Sequence, residues 1–178
     1  MRLLGAMAFY FLLNSHGGLA YRFDAGNYYV GGGFGAQVNV ARFNQPPRVT
    51  PAAQMPLIAH VDYAVDNTWG VCASIVPMFS ADSLGLSLRG GAKYWFNVFD
   101  GPLNPYASLE LVPSLLTPFD TPNHFNIGIS PGGGLQYFVL ANVLLGAHIN
   151  LNPSLALADK EKRFEFSVMS YFDVLIKL

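Results

Sequence analysis

Hydrophobic and polar residues alternate along most of this chain. Between Arg163 and Leu178, Phe164, Phe166, Val168, Phe172, Val174, Ile176 and Leu178 share one parity, while Glu165, Ser167, Tyr171, Asp173 and Lys177 share the other. A period of two marks a strand with one apolar and one polar face. Seven earlier runs repeat it: Tyr28 to Arg42, Met55 to Asp66, Thr68 to Phe79, Leu84 to Phe96, Tyr106 to Leu115, Phe125 to Phe138 and Val143 to Leu157. Turn signals fall between several of them, at Asp66-Asn67, Asp100-Gly101-Pro102, the Pro-containing stretch Thr117 to Asn123, and the charged Asp159-Lys160-Glu161-Lys162.

The two faces differ in a way that chooses the solvent. One carries Gly, Ser, Asn, Gln and charges; the other carries no Lys, Asp or Glu at mid-strand. A soluble eight-stranded barrel would turn its apolar face inward and its charges out. Here the apolar face suits lipid, where a mid-strand Lys or Arg would cost roughly 2–4 kcal/mol. The expected fold is all-β: an eight-stranded antiparallel up-and-down transmembrane β-barrel. If strand one enters from the periplasm, Tyr28, Trp69, Tyr94 and Tyr137 fall at one height on the outward face. That is the level where amphipathic rings sit at a membrane interface. Phe43, Phe79 and Phe164 are candidates for the opposite girdle.

Composition agrees. Only 12% of the 178 residues are charged and 52% are apolar, which is low in charge for a soluble domain. No run of eighteen apolar residues lies outside the extreme N-terminus, so a helical span is not indicated. A formal net charge of −1 gives no footprint for nucleic acid. The single Cys72 excludes an internal disulfide. Met1-Arg2, the apolar Leu3 to Leu13 and the small-residue ending Gly18-Leu19-Ala20 read as a secretory signal peptide over residues 1–20, leaving 21–178 as the barrel.

With these runs and girdles, the chain from Tyr28 to Leu178 resembles the small eight-stranded outer-membrane β-barrels of the OmpA, OmpX and OmpW kind. The resemblance rests on architecture and not on a diagnostic motif. It implies residence in the bacterial outer membrane, contact with its lipid and lipopolysaccharide, and handling by the barrel assembly machinery. In such proteins the last strand commonly ends in Phe after alternating apolar residues. Phe172, Val174 and Ile176 keep that alternation, Leu178 replaces the aromatic, and Ser170 interrupts the run.

The inward face gathers His60, Asp62, Asp66, Arg89, Lys93, Glu110, His148, Glu165 and Asp173. A turn centred on Gly101-Pro102 predicts Lys93 opposite Glu110, and one centred on Lys160-Glu161 predicts His148 opposite Asp173. Asp62, Cys72 and Arg89 are expected in one row. An eight-stranded interior is only wide enough for side chains to fill it, and charges there must pair. An ion-pair and hydrogen-bond plug is therefore expected, with a structural or interaction role in the envelope. A narrow pore for small solutes and a lipid-modifying enzyme of the lipid A deacylase kind are the alternatives. His148, Asp173 and Ser154 have the residue types of a hydrolase triad. However, Ser154 lies six residues from His148 on one strand, roughly 20 Å away. His60 with Asp62 lacks a third metal ligand, so neither a metal nor a cofactor is expected. Gly31 to Gly35 precedes no helix and is not a phosphate loop; Gly31, Gly33 and Gly35 are expected to make room for Arg89, Trp95 or Tyr171, with Gly132 and Gly134 acting likewise.

Five prolines, Pro56, Pro77, Pro113, Pro131 and Pro153, lie within or beside the runs. Proline removes a ladder donor, so pairing is expected to fray in the half away from the periplasm. The sharper form of that expectation is a wall that opens sideways to lipid or a partner barrel; the blander form is that prolines mark where strands leave the membrane.

Overall fold

In the computed structural model, which describes residues 22–43, 53–97, 101–119, 123–158 and 161–178, all eight runs become strands. They are β1 (Tyr28–Phe43), β2 (Ala53–Ala64), β3 (Trp69–Phe79), β4 (Ser83–Trp95), β5 (Leu103–Pro118), β6 (His124–Leu140), β7 (Val143–Ala158) and β8 (Glu161–Lys177). Each pairs antiparallel with the next, and β1 pairs with β8 to close the barrel. The expected signal peptide and residues 44–52, between β1 and β2, lie outside the described residues.

Alternation becomes inside and outside. On β2 exposed and buried residues alternate through Ile58, His60, Asp62 and Ala64, all inward. Phe34, Ile75, Leu109, Ile149 and Phe172 point out and are well exposed. Closing eight strands leaves a lumen that side chains fill. Apolar clusters occupy part of it: Phe23, Tyr29, Trp95, Tyr106, Phe138, Leu144 and Leu175 at the end bearing Tyr28 and Lys177, and Ile58, Val76, Met78, Met169 and Tyr171 further in. We call the first end the terminal end and the other the far end.

Three predicted neighbours change. Just past β4, Asn97 takes the left-handed conformation (φ 45°) that Asn tolerates. Lys93 faces Ser108, and Glu110 faces Gly91. Likewise His148 faces Tyr171, and Asp173 faces Gly146. Asp62 does face Cys72, but Cys72 faces Gly91 and not Arg89, which lies opposite Ser74. A turn centre displaced by one residue moves each cross-strand partner by two, which preserves the face and changes the neighbour. Asp66 is not in the lumen at all. It sits in the β2–β3 turn, where its carboxylate accepts from the Thr68 amide (2.6 Å), the Thr68 hydroxyl (2.8 Å) and the Trp69 amide (2.6 Å). These donors, Thr68 first, hold its carboxyl below the usual carboxylate range.

The glycines of β1 also differ from expectation. A Cβ at Gly31 or Gly33 would strike the β8 backbone around Val174 and Phe172, and only at Gly35 would it meet Tyr171. Their absent side chains admit β8 itself, not Arg89 or Trp95. Room for Trp95 comes from Gly70, whose Cβ would clash with the indole. Gly132 makes way for the Asn150 side chain; Gly134 for the Ala147 carbonyl and the Tyr106 ring.

Every one of the five prolines interrupts one ladder and keeps the other. Pairing lapses opposite Pro56 on the β1 side, Pro77 on the β2 side, Pro113 on the β4 side, and Pro131 and Pro153 between β6 and β7. On the other side, Pro56 pairs with Met78, Pro77 with Leu86, Pro113 with Ile127, Pro131 with Leu109 and Pro153 with Phe166. A strand residue sends its N–H to one neighbour, so a missing donor weakens one side. Register resumes unchanged past each lapse, as from Gly128↔Ser154 to Gly132↔Asn150. The wall is loosened at these points, and the barrel stays closed.

Candidate functional site

The lumen holds three polar knots stacked above an aromatic stopper. At the terminal end Phe23, which precedes β1, stacks on Trp95 with ring centroids 4.0 Å apart and an interplanar angle of 13°. Phe23 also meets Tyr29 (4.8 Å) and Phe138 (5.3 Å). The Trp95 indole N–H donates to Gln136 Oε1 at 2.7 Å, which satisfies the one polar atom of a fully buried ring. Asp24 holds Lys177 at 2.6 Å, and the Leu178 amide donates to the Tyr28 carbonyl at 2.9 Å.

The first knot centres on Asp62. Lys93 Nζ lies 2.5 Å from Asp62 Oδ2, His60 Nε2 lies 2.8 Å from Oδ1, and Gln136 Nε2 donates to Oδ2 at 3.2 Å. Lys93 also sits 4.6 Å above the Tyr106 ring, a cation–π contact. A fully buried carboxylate with three partners repays its desolvation better than a single pair would. The second knot is His148. Its Nδ1 shares a hydrogen bond with the Tyr106 hydroxyl, and its ring stacks on Tyr171 at 4.2 Å and 10°. Its Nε2 lies 2.8 Å from Asp173 Oδ1, but off line for a hydrogen bond. The predicted His148–Asp173 pair is thus made diagonally across the ladder. Gly146 permits it, since a Cβ there would strike both side chains. The third knot is Arg89. Nε donates to Glu110 at 2.6 Å, and Nη2 bonds Ser130 and, at 3.3 Å, Asn152. Ser130 in turn donates to Asn152 at 2.7 Å.

Of the nine ionisable residues expected on the inward face, seven, His60, Asp62, Arg89, Lys93, Glu110, His148 and Asp173, are buried in the lumen, but the partnerships are Lys93–Asp62 and Arg89–Glu110 instead of Lys93–Glu110. Glu165 is only partly buried and accepts from Asn126 at 3.4 Å. Ser154 lies opposite Glu165 and Gly128, remote from the partners of His148. Two participants went unread. Tyr106 has the same parity as Ser108 and Glu110, which was the available signal. Phe23 belongs to no periodic run and gave none.

On the outside, Tyr28 packs on Tyr63 (4.8 Å), and Trp69 packs edge-on against Tyr94 (4.8 Å). Tyr137 lies opposite Leu103 across the ladder. Tyr28 and Trp69 are exposed, Tyr94 and Tyr137 half-buried, and all lie toward the terminal end. At the far end Phe79 and Phe164 are exposed on the outer surface. Nothing is described of the Phe43 side chain. Phe172, Val174, Ile176 and Leu178 are outward and exposed, Leu178 just past the end of β8.

A closed eight-stranded antiparallel wall with its apolar face outward is the feature shared with known structures. The fold is that of the small eight-stranded outer-membrane barrels. Neisserial surface protein A superposes with a TM-score of 0.68 at 18% identity, over 86% of this chain and 98% of that one. OprG from Pseudomonas aeruginosa gives 0.58 at 15%, over 89% and 98%. The N-terminal β-barrel domain of Pseudomonas aeruginosa OprF gives 0.56 at 15%, over 85% and 99%. No family model matches the chain, and no curated protein matches it by sequence.

Proposed function

We propose that this protein is an integral outer-membrane barrel with a structural or interaction role in the bacterial envelope, and that its lumen is closed to solutes. The observation that carries this is the filled cross-section from Phe23 and Trp95 to the Arg89 knot, where Lys93, Asp62, Gln136, His148 and Asp173 are all buried. The signal peptide directs export, and Phe172, Val174, Ile176 and Leu178 form the segment that the assembly machinery engages. Tyr28, Trp69, Tyr94 and Tyr137 rest at the periplasmic interface, with lipid and lipopolysaccharide against the apolar belt. Its role is not enzymatic: His148 is enclosed by Tyr106, Tyr171 and Asp173, and Ser154 makes no contact with it. Planar-bilayer recording tests closure. No steady channels are expected from the intact protein; reproducible single-channel steps would replace this proposal with a narrow pore, the reading that the polar lining of the far half favours. Loss of lipid A acyl chains on expression, abolished by His148→Ala, would revive the enzyme.

A further inference from the structure

Beyond Arg89 the packing stops. A cavity of about 50 Å³ occupies the far half of the lumen, with Arg89 at its floor. Its wall includes Ser87, Ser114 and Asn126, which are in one register row across β4, β5 and β6: Ser87 faces Ser114, and Ser114 faces Asn126. Gln37 and Gln54 of β1 and β2 also line it, joined by a hydrogen bond of 3.3 Å. Val76, Met78 and Met169 add an apolar strip. Two polar atoms of this cavity are buried without a protein partner: the Ser87 hydroxyl and Asn126 Oδ1, on side chains more than nine-tenths buried. A buried polar atom left unpaired is costly, so these two require a partner within the cavity, either water or the hydroxyl of a ligand that displaces it.

The chemistry of the lining restricts that ligand. Among the described residues, two ionisable ones line the cavity, Arg89 and Glu165. The Arg89 guanidinium is engaged by Glu110, Ser130 and Asn152, and Glu165 already accepts from Asn126. An anion would therefore meet no uncommitted counter-charge, and a cation would have to share Glu165 with the partners it already has. Hydroxyls suit the site better, because each both donates and accepts, as Ser87 and Asn126 Oδ1 require. Size sets the rest. A water needs about 10–15 Å³ of such volume, so the cavity takes about four water-sized groups.

We propose that the far half of the lumen is a binding site for a small neutral polyol of glycerol to tetritol size. Its hydroxyls pair with Ser87 and Asn126, and its carbon face lies on Val76, Met78 and Met169. The site is blind because the Arg89 knot closes its floor, a point that rests on the closed-lumen reading above. Erythritol is the probe, titrated into the full chain in lipid nanodiscs while the side-chain amide signals of Asn126, Gln37 and Gln54 are followed by NMR. Saturable shifts confined to these amides are expected, with no response to glycine betaine, a zwitterion of similar size. Ser87→Val with Asn126→Leu should weaken the response about tenfold. Should that variant fail to show the electrophoretic mobility of a folded barrel, Gln37→Leu with Gln54→Leu on the opposite wall makes the same test. Shifts that are linear in erythritol, equal at surface amides, or matched by betaine would overturn the site. Erythritol uptake by liposomes carrying the protein separates the two proposals: binding without uptake supports both, uptake with saturable binding keeps the site and overturns the closed floor, and absence of binding overturns the site whatever the uptake.

Discussion

The two halves of the lumen are built on opposite principles. Toward the terminal end, large rings and ion pairs meet across missing side chains: Trp95 fills the space left by Gly70, and Asp173 and His148 meet over Gly146. Ladders there run without lapse, as from Trp69↔Tyr94 to Ser74↔Arg89. From the level of Arg89 onward the lining turns to uncharged amides and hydroxyls around a cavity, and prolines take one ladder bond at a time from the wall. Dense packing and charge pairing go with an intact wall; looser polar lining goes with an interrupted one. The stability of the barrel should therefore reside mainly in the terminal half.

The sharpest way to break that contrast is Asp62→Ala. Lys93 and His60 would lose their common partner, and leaving Lys93 buried without it should cost about 3–5 kcal/mol, read by urea unfolding in micelles. Asp62→Leu combined with Lys93→Met should recover most of the loss. A cost below 1 kcal/mol for the single change would mean that the terminal half is not the stable one.

Next in size is a matched pair of glycines. Gly70→Ala drives a methyl into the Trp95 ring and toward the Tyr63 carbonyl, and should cost about 1–3 kcal/mol with a shift in indole fluorescence. Gly85→Ala comes nearest the flexible end of Met78 at 3.0 Å, with Met78 Cβ at 3.4 Å and Leu116 Cδ1 at 3.5 Å in ordinary contact. The gain of roughly 0.4–1 kcal/mol from a stiffer unfolded chain should leave it near neutral. Equal losses at the two sites would erase the distinction.

Smaller still is the effect of Pro131→Ala with Pro153→Ala, which returns two donors to the β6–β7 lapse. Stability should change by no more than about 1 kcal/mol, because the added hydrogen bonds oppose the lost rigidity of proline. Amide exchange of Ile129 and Leu151, whose N–H groups face the same seam, should nevertheless slow. Unaltered exchange would show that the strands are held apart there by something other than the missing N–H groups.

Least of all is the Asp66 turn. Its carboxyl is held below the ordinary value, so the turn is at full strength above about pH 4 and weakens only as pH falls through the lowered value. Exchange protection of the Thr68 and Trp69 amides should persist at pH 4 and fade below it. Protection lost already at pH 5 would contradict the three hydrogen bonds.

Strand number, order and facing were legible from sequence because a period of two records which solvent each side chain meets. Phe164, Phe172 and Ile176 show it directly. The site was legible as membership but not as partnership. Lys93 and Glu110 were both correctly placed inside, yet a register displaced by two residues decided whom they met. Once ladders are fixed, long side chains still choose among diagonal neighbours, as His148 does in leaning to Asp173 while facing Tyr171. Phe23 and the β1 glycines were opaque for a related reason: their roles are set by chain segments distant in sequence.

The proline lapses have a mechanical meaning as well. Four seams carry them, β1–β2, β2–β3, β4–β5 and β6–β7, while β3–β4, β5–β6 and β7–β8 run without a break and β8–β1 shifts only at a bulge near Asn39. The cylinder is thus a set of stiff staves, β7-β8-β1, β3-β4 and β5-β6, with β2 as a lone slat between hinges. Lateral pressure from a thinning or thickening bilayer would be taken up as flexing at those seams. The unbroken seams, β3–β4, β5–β6 and β7–β8, would bend least.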